Sequence, residues 1–330
     1  MKLSVLDQAP ITSGNTAVEA LRKSEELAIL ADELGYSRFW LAEHHGTDGY
    51  ASSAPEIAVA HIAAKTNRIR VGTGGMMMMH YSPLKMAEVF KTLSAFSPGR
   101  IDFGIGRAPG GDRNAMYALS EGRQPLLDNL YEKLDTTLKL INDKVPKDKL
   151  YNKTIATPSG IHLPQAWLLG SSGSSALEAA RMGVGYSFAQ FFMGGMTKEI
   201  LDQYKHHFVP SYFMEKPEIS VAYLVTVAET REEAEFEALP QDIGRLWLMQ
   251  GKPSNLLSPE QAQQYPLTET DKRMIADNRQ LHLVGTAKEV AIRLKEEQDY
   301  YGFDEAMICS IPHSQEKRLD VYRLLAKELL

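Results

Sequence analysis

Strand-like and helix-like segments alternate along this chain of 330 residues, and the alternation restricts the fold more than any other feature. Short apolar runs are each followed by a longer segment whose apolar residues recur at helical spacing. About eight such units follow one another, which is the number in a (β/α)8 or TIM barrel. A doubly wound sheet, which usually has fewer strands, is the alternative. The predicted strands cover residues 3–7, 38–42, 69–73, 101–105, 166–169, 186–190, 219–227 and 306–311.

The segments between these strands predict helices and two insertions. No linker divides the chain, so we expect a single domain over residues 1–330. A bare barrel needs about 250 residues. The polar, proline-containing stretches 144–163 and 251–277 are therefore predicted insertions, and we expect the second to act as an active-site lid. The predicted helices cover residues 16–34, 55–65, 84–96, 126–141, 174–182, 197–207, 231–248 and 288–300, with a terminal helix that ends at residue 330.

The charge and cysteine content exclude several classes of protein. The formal net charge is −6 without a basic block, which argues against nucleic acid or an anionic membrane as the main partner. A single cysteine, Cys309, excludes an internal disulfide framework and a cysteine-rich metal site. No apolar run approaches about 18 residues, so no membrane span is expected. Residues 1–5 lead into a strand rather than a signal peptide, and we expect a cytoplasmic protein.

Glycines and polar residues cluster directly after the predicted strands. The loops after the strands form the active site of a (β/α)8 barrel, so these residues are candidates for function. They are Glu43-His44-His45-Gly46, Gly74-Gly75 followed by four methionines at 76–79, Gly106-Arg107, the serine-rich loop 170–175, and Gln190-Phe191-Phe192.

Arg107 and the serine-rich loop predict a phosphate site. An arginine at the end of a strand offers a planar fork of donors that suits a phosphate. The loop opens a predicted helix, whose first N–H groups and dipole favour an anion. The alternatives are a serine that only caps the helix and an arginine in a structural ion pair. Because the two elements follow neighbouring strands, we favour a monoester phosphate as their common ligand.

The histidine pair indicates proton chemistry at one residue. Neighbouring side chains on an extended chain point to opposite sides, so only one of His44 and His45 readily faces the barrel mouth. We expect His44 to be a general acid or base. A hydrogen-bonded structural role is the alternative, particularly for His45. Glu43 either orients a ring nitrogen or is a buried, paired acid.

Gly74-Gly75 predicts a backbone that approaches a flat ligand closely. The methionines that follow, beginning with Met76, suit the wall of an aromatic cofactor pocket, with irregular core packing as the alternative. Together with Phe191 and Phe192 they indicate an apolar pocket.

Five segments resemble the bacterial luciferase-like, flavin-dependent monooxygenase family. They are FWLAEHHG at 39–46, VGTGG at 71–75, PLKMAE at 83–88, SPGRIDFGIGR at 97–107 and LLGSS at 168–172. The resemblance covers nearly the whole chain apart from the insertions. It implies a (β/α)8 barrel that holds reduced FMN at the carboxyl ends of its strands, and a homodimer whose face lies on helices 55–65 and 84–96.

The resemblance also implies roles for individual residues. His44 corresponds to the luciferase histidine that handles protons at the flavin. Gly74-Gly75 corresponds to a non-proline cis peptide beside the isoalloxazine. The implied cofactor contacts are Gly74, Gly75, Met76, Gly106, Arg107, Ser171, Ser172 and Ser175, with the phosphate at Arg107 and the three serines.

Two positions depart from luciferase. Its cysteine beside the flavin is replaced by Gly106, which suggests open space there, and the acidic residue of its phosphate loop is replaced by Ser171. Light emission is therefore not implied.

These observations predict an FMN-dependent monooxygenase that uses reduced FMN and O2 on a small apolar organic substrate. The spacing Gly104-x-Gly106-x-x-Pro109 departs from the dinucleotide pattern G-x-G-x-x-G. We therefore expect NAD(P)H to act only indirectly, through a separate flavin reductase. The alternatives are a deazaflavin (F420)-dependent dehydrogenase, a non-catalytic flavin-binding protein and a metal-dependent hydrolase that uses His44 and His45; we expect no metal.

Overall fold

Eight parallel strands close into a barrel in the computed structural model, which describes residues 1–123, 129–252 and 255–330. The strand that begins at Glu305 closes the barrel. It pairs with the first strand, where Glu305 is opposite Lys2, and with the strand that begins at Ile219, where Glu305 is opposite Ser220. In chain order the strands are β1 Lys2–Asp7, β2 Arg38–Leu41, β3 Arg70–Thr73, β4 Met76–Met77, β5 Ile101–Gly106, β6 Gln165–Gly170, β7 Gly185–Ala189, β8 Ile219–Ala228, β9 His282–Thr286 and β10 Glu305–Cys309. All except β4 and β9 belong to the barrel.

Helices surround the barrel. In chain order they are α1 Ala17–Leu34, α2 Pro55–Lys65, α3 Pro83–Phe96, α4 Arg113–Leu119, α5 Leu130–Ile141, α6 Gly173–Met182, α7 Gln190–Met193, α8 Lys198–His207, α9 Arg231–Met249, α10 Pro259–Gln263, α11 Glu269–Asn278, α12 Ala287–Tyr301 and α13 Gln315–Leu329. The outer ring consists of α1, α2, α3, α5, α6, α8, α12 and α13, in which α1 contacts both α2 and α13. No helix in the described ranges has the length and apolar character needed to cross a membrane.

The predicted TIM barrel is confirmed. Every predicted barrel strand is present, and its ends differ by no more than two residues from the prediction. The helix predicted over residues 126–141 begins at Leu130 in the structure, and residues 124–128 lie outside the described part of the chain.

The helix after β8 corrects the sequence-based prediction. We expected helix 231–248 to alternate with the barrel strands, but α9 packs against β8, β9, α10 and α11, and α12 takes the ring position between α8 and α13. Strand β9, which was not predicted, pairs with the end of β8 from Leu224 to Ala228. The second insertion therefore extends from α9 to β9 and exceeds the predicted range 251–277, of which residues 253–254 are not described.

The first predicted insertion, residues 144–163, is attached to the barrel by a buried lysine. Lys91 on α3 donates to Asp143 Oδ1 at 2.6 Å and to the carbonyl oxygen of Ala156 at 2.7 Å. The segment contains turns and no helix or strand. The lysine therefore satisfies backbone that secondary structure does not satisfy.

The barrel strands separate two apolar clusters, because successive side chains alternate between the two faces of a strand. The outer cluster lies between strands and helices and includes Leu3 and Val5. The inner cluster, which includes Leu6, Leu224 and Ile311, fills the barrel.

Ionic groups close the amino-terminal end of the barrel. Arg38, the first residue of β2, is buried and bonds Asp102 at 2.9 Å and Glu305 at 3.0 Å. Its guanidinium also lies 4.4 Å from the centroid of Trp167. Access to the inner cluster is therefore expected at the other end, where the strands terminate and where barrels of this kind carry their active sites.

Candidate active site

Arg107 follows β5 at the carboxyl end of the barrel. Its side chain is exposed, and no carboxylate of the described residues lies within 4.0 Å of it. It approaches the hydroxyl of Tyr131 on α5: burial raises the pKa of Tyr131, and the Arg107 guanidinium acts in the opposite direction. Within the part of the chain that the structure describes, the charge of Arg107 is therefore not used in an ion pair and is available to a ligand.

The serine loop opens α6 beside this arginine. Ser172 caps the helix by accepting from the Ser175 N–H at 3.4 Å. The buried Ser175 hydroxyl donates to the Ser172 carbonyl at 2.8 Å and lies 3.0 Å from the Tyr186 hydroxyl. Burial raises the pKa of Tyr186 to about 12, and the nearby Tyr131 adds to the rise. Tyr131 therefore lies near both Arg107 and Tyr186, and the two parts of the predicted phosphate site follow the paired strands β5 and β6.

The serines of this loop differ in what they offer a ligand. Ser171 and Ser172 are partly exposed, whereas Ser175 is buried and its hydroxyl is engaged within the cap. The first backbone N–H groups of α6, at Gly173 and Ser174, have no partner within the helix. Ser175 therefore shapes the cap, and the exposed donors are those of the preceding residues and of the helix backbone.

Gly74 and Gly75 lie where other backbone and side chains come very close. A Cβ at Gly75 would lie 2.7 Å from the backbone nitrogen of Gly106, and one at Gly74 would lie 2.7 Å from Leu6 Cδ1. The peptide bond between the two glycines is cis, as the resemblance implied. Only glycine fits at both positions, and the close approach predicted here exists between β-strand ends of the protein itself.

The methionines after these glycines have opposite orientations. Met76 and Met78 are completely buried in the outer cluster, so the Met76 side chain does not form a pocket wall as predicted. Met77 pairs with Gly106 through β4, and its terminal methyl lies 3.3 Å from the position of a Gly106 Cβ. The space that the glycine suggested is therefore occupied by Met77, because side chains alternate along β4.

His44 is held as a neutral imidazole near the mouth. Its ring stacks on Tyr50 with the centroids 4.3 Å apart. Its Nε2 is buried without a hydrogen-bond partner in the described residues. Burial, followed by the adjacent His45, lowers the pKa of His44 to about 4. An unprotonated ring with one unpartnered nitrogen can exchange a proton with a ligand at neutral pH.

His45 has a structural role together with Glu43. The buried Glu43 Oε1 lies 2.7 Å from His45 Nε2 and accepts from the Tyr81 hydroxyl at 2.7 Å. Its Oε2 accepts from the Met77 N–H at 2.8 Å. Glu43 therefore holds β4 in place, a role that includes Tyr81, which the sequence-based reasoning missed. The described residues contain no group of three or more His, Cys, Asp or Glu that could hold a metal ion.

Helix α9 crosses the rim of the mouth, which was not predicted. Gln241 donates to the carbonyl of Ile311, after β10, at 3.2 Å. Arg245, one turn later, donates to the carbonyls of Phe191 and Phe192 on α7, after β7, at 2.7 and 2.9 Å. Phe191 packs against the inner cluster and Phe192 is exposed. The polar spacing of Gln241 and Arg245 on one helical face was the available signal.

The predicted lid region follows this helix. Its Leu256 carbonyl accepts from the Ser13 N–H at 2.8 Å, which places this part of the insertion beside the loop after β1. Trp247 donates to the Tyr265 hydroxyl at 3.0 Å and packs edge-on against its ring. Lid motion remains a prediction.

A sequence model of the family described as luciferase-like monooxygenase matches residues 1–305. The chain belongs to this family. Its relatives include the protein YwcH of Bacillus subtilis (strain 168), which is 41% identical over 326 residues and covers 98% of each chain. The N-acetyl-S-alkylcysteine monooxygenase of the same organism is 36% identical over 333 residues, which is 100% of this chain and 98% of that protein.

Solved structures of several other proteins share the fold. Apo-MsnO8 is 38% identical with a TM-score of 0.89, over 99% of this chain and 98% of that one. The oxygenating constituent of 3,6-diketocamphane monooxygenase from Pseudomonas putida, solved with FMN, has a TM-score of 0.72 at 17% identity, over 100% and 99% of the two chains. An F420-dependent secondary alcohol dehydrogenase has a TM-score of 0.69 at 14% identity, over 100% and 99%. The last two show the fold alone.

Proposed function

We propose that this family member is an FMN-dependent monooxygenase that uses reduced FMN and O2 to oxygenate a small apolar organic substrate. The observation that carries the proposal is the combination, at neighbouring strand ends, of the amino terminus of α6 with Arg107, whose guanidinium has no carboxylate within 4.0 Å among the described residues. Both favour a dianionic phosphate monoester, and FMN ends in one.

The residues present fit this cofactor. Arg107, the Ser171 and Ser172 hydroxyls and the first N–H groups of α6 would hold the phosphate. The backbone of Gly74, Gly75 and Gly106 and the Met77 side chain would flank the ring system, whereas Met76 and Ser175 would support this wall from behind. Reduced FMN supplies the reaction with O2, and the protein supplies binding, orientation and the exclusion of water.

His44 is the proposed catalytic residue. Its Nε2 has no partner in the described part of the chain, and the pKa of its ring, which burial lowers to about 4, keeps it neutral. It would hold or transfer one proton at this nitrogen while the apolar residues of the inner cluster exclude water.

A titration tests the cofactor assignment. The protein should bind FMN and reduced FMN more tightly than about 1 mM, and replacing Arg107→Ala should weaken FMN about tenfold or more while leaving riboflavin unchanged. Arg113→Ala, at another exposed arginine nearby, is the matched control. Equal losses for FMN and riboflavin would remove the phosphate role of Arg107.

O2 consumption separates a monooxygenase from an F420-dependent dehydrogenase, which transfers hydride without O2.

The proposed substrate is an N-acylated amino acid with an apolar substituent on sulfur. The support is the N-acetyl-S-alkylcysteine monooxygenase, which is 36% identical over this whole chain. An apolar floor that includes Leu224 and Ile311 suits the alkyl substituent. Turnover of N-acetyl-S-butylcysteine with reduced FMN would give one oxygenated product per O2 consumed, with the other oxygen atom released as water.

We further propose a homodimer and a separate reductase. Ile57 on α2 and Phe96 on α3 are 68% and 81% exposed, beside a groove lined by alanines such as Ala60 and Ala64. An exposed apolar surface of this kind suits an isologous contact. Phe96→Glu should convert the dimer to a monomer in light scattering.

Addition of a flavin reductase with NAD(P)H and FMN should support turnover, whereas NAD(P)H and FMN alone should not.

A further inference from the structure

Arg245 differs in its partners from Arg231 and Arg279, two other arginines of the second insertion, and it differs from the exposed Arg273 in being half-buried. Arg279 bonds Asp242 and Glu235 at 2.6 Å, and Arg231 lies 2.9 Å from Glu289. Arg245 has no carboxylate within 4.0 Å among the described residues. Its bonds go to two main-chain carbonyls, so a positive charge is held at the rim without a carboxylate partner in the ranges that the structure describes.

The surroundings of Arg245 remove part of its hydration. The side chain is half-buried, and this burial lowers the pKa of the guanidinium, which nevertheless stays charged at neutral pH. Two of its five N–H groups donate to Phe191 and Phe192, which leaves three donors on a planar fork. A partly desolvated guanidinium with remaining donors gains most from an anionic ligand that binds in a bidentate manner.

Arg245 lies at the mouth of the barrel, so we propose a role for it only there. The carbonyls that it bonds belong to α7, and Phe191 packs on the inner cluster together with Leu224 and Ile311. Gln241 on the same helical face reaches the carbonyl of Ile311. This face of α9 therefore spans the apolar floor on the side opposite β2, β3 and β5, which carry His44, the two glycines and Arg107.

We propose that Arg245 binds the carboxylate of an apolar organic acid and thereby selects acids as substrates of the proposed monooxygenase. The inference rests on the proposed function for the identity of the reaction, and it adds the residue that binds the carboxylate of the substrate. The apolar part of the acid extends over the inner cluster toward His44. FMN and the substrate then use different arginines, Arg107 and Arg245.

Binding to the FMN-loaded protein tests this proposal. The probes are N-acetyl-S-butylcysteine and its neutral primary carboxamide, measured by isothermal titration calorimetry. The wild-type protein should bind the acid about tenfold to a hundredfold more tightly than the amide. Arg245→Gln should remove this preference, and Arg245→Lys should keep part of it. Arg231→Gln, an exposed position on the same helix, should leave it unchanged.

The outcomes separate this proposal from the proposed function. Failure of the wild-type protein to bind FMN overturns the function itself. FMN binding without an acid preference in the wild type, or a preference that persists in Arg245→Gln, overturns only the role of Arg245, which then serves to hold α7. If Arg245→Gln unfolds, the role of Arg245 is tested by comparing the wild type with Arg245→Lys. An acid preference that is the same in both proteins also overturns the role of Arg245.

Discussion

Replacing Glu43 tests whether one buried carboxylate positions the strand that flanks Gly106. Three donors converge on this residue: the Tyr81 hydroxyl and His45 Nε2 at Oε1, and the Met77 N–H at Oε2. A glutamine has a single acceptor oxygen, so its amide nitrogen must face at least one of these donors. Glu43→Ala removes the acceptor for all three.

The magnitude follows from the number of donors left without a partner. An unsatisfied buried donor costs about 1–3 kcal/mol. We therefore expect Glu43→Gln to lower the free energy of unfolding by about 1–3 kcal/mol, and Glu43→Ala, which leaves three donors without an acceptor, by about 3–9 kcal/mol. Tyr81→Phe removes one donor and leaves the carboxylate two, so its expected loss is about 1 kcal/mol.

Urea unfolding followed by circular dichroism measures these changes, and an FMN titration of each folded variant measures the effect on the site. Because the Met77 N–H loses its anchor, Glu43→Ala should weaken FMN binding more than Tyr81→Phe does. If Glu43→Gln stays within about 0.5 kcal/mol of the wild type and binds FMN equally well, the carboxylate does not position β4.

Three further changes have defined outcomes. Gly75→Ala should abolish stable folding or FMN binding, because its Cβ would lie 2.7 Å from the backbone nitrogen of Gly106. Gly106→Ala should be tolerated, because its Cβ would meet only the flexible end of the Met77 side chain at 3.3 Å. Urea unfolding midpoints compare the two variants. His44 takes up a proton below about pH 6.5 in the unfolded chain but only near pH 4 in the folded protein, because burial lowers its pKa. The free energy of unfolding should therefore fall by up to about 3 kcal/mol as the pH decreases from 6.5 to 4, and by less in His44→Gln. Lys91→Met should lower stability by about 1–3 kcal/mol and increase proteolysis within residues 144–163, because the carbonyl of Ala156 loses its donor; cleavage at the wild-type rate would contradict this.

The barrel could be predicted because its strands and ring helices are local patterns. The run of residues 101–106 is buried along its whole length, and it lies between the turn residues Pro98-Gly99 and the loop that begins at Arg107. The position of α9 could not be predicted in this way. Its amphipathic pattern specifies one buried face but not whether that face covers the barrel wall or the mouth. Strand β9 is short and contains His282 and Gly285, so it also gave no clear strand signal.

The candidate site was predicted where it depends on strand ends and missed where it depends on register. Arg107 and His44 follow predicted strands directly, and the structure places both at the mouth. Which of Met76 and Met77 faces the mouth depends on how β4 pairs with β5, which residue types do not reveal. The contact between Glu43 and Tyr81 joins residues 38 positions apart and depends on the closed barrel.

The mouth of this barrel divides into two halves with different origins in the chain. The proposed cofactor residues follow β2, β3, β5 and β6, whereas the apolar floor under Arg245 is framed by α7, β10 and the insertion after β8. Loops and insertions change without disturbing a barrel whose core lies between strands and helices. The half that follows the short strand ends is therefore suited to a constant cofactor, and the half under α9 is suited to variable substrates. In the proposed reaction, the substrate of this chain is thus decided by residues 231–281 more than by the segments that mark the family.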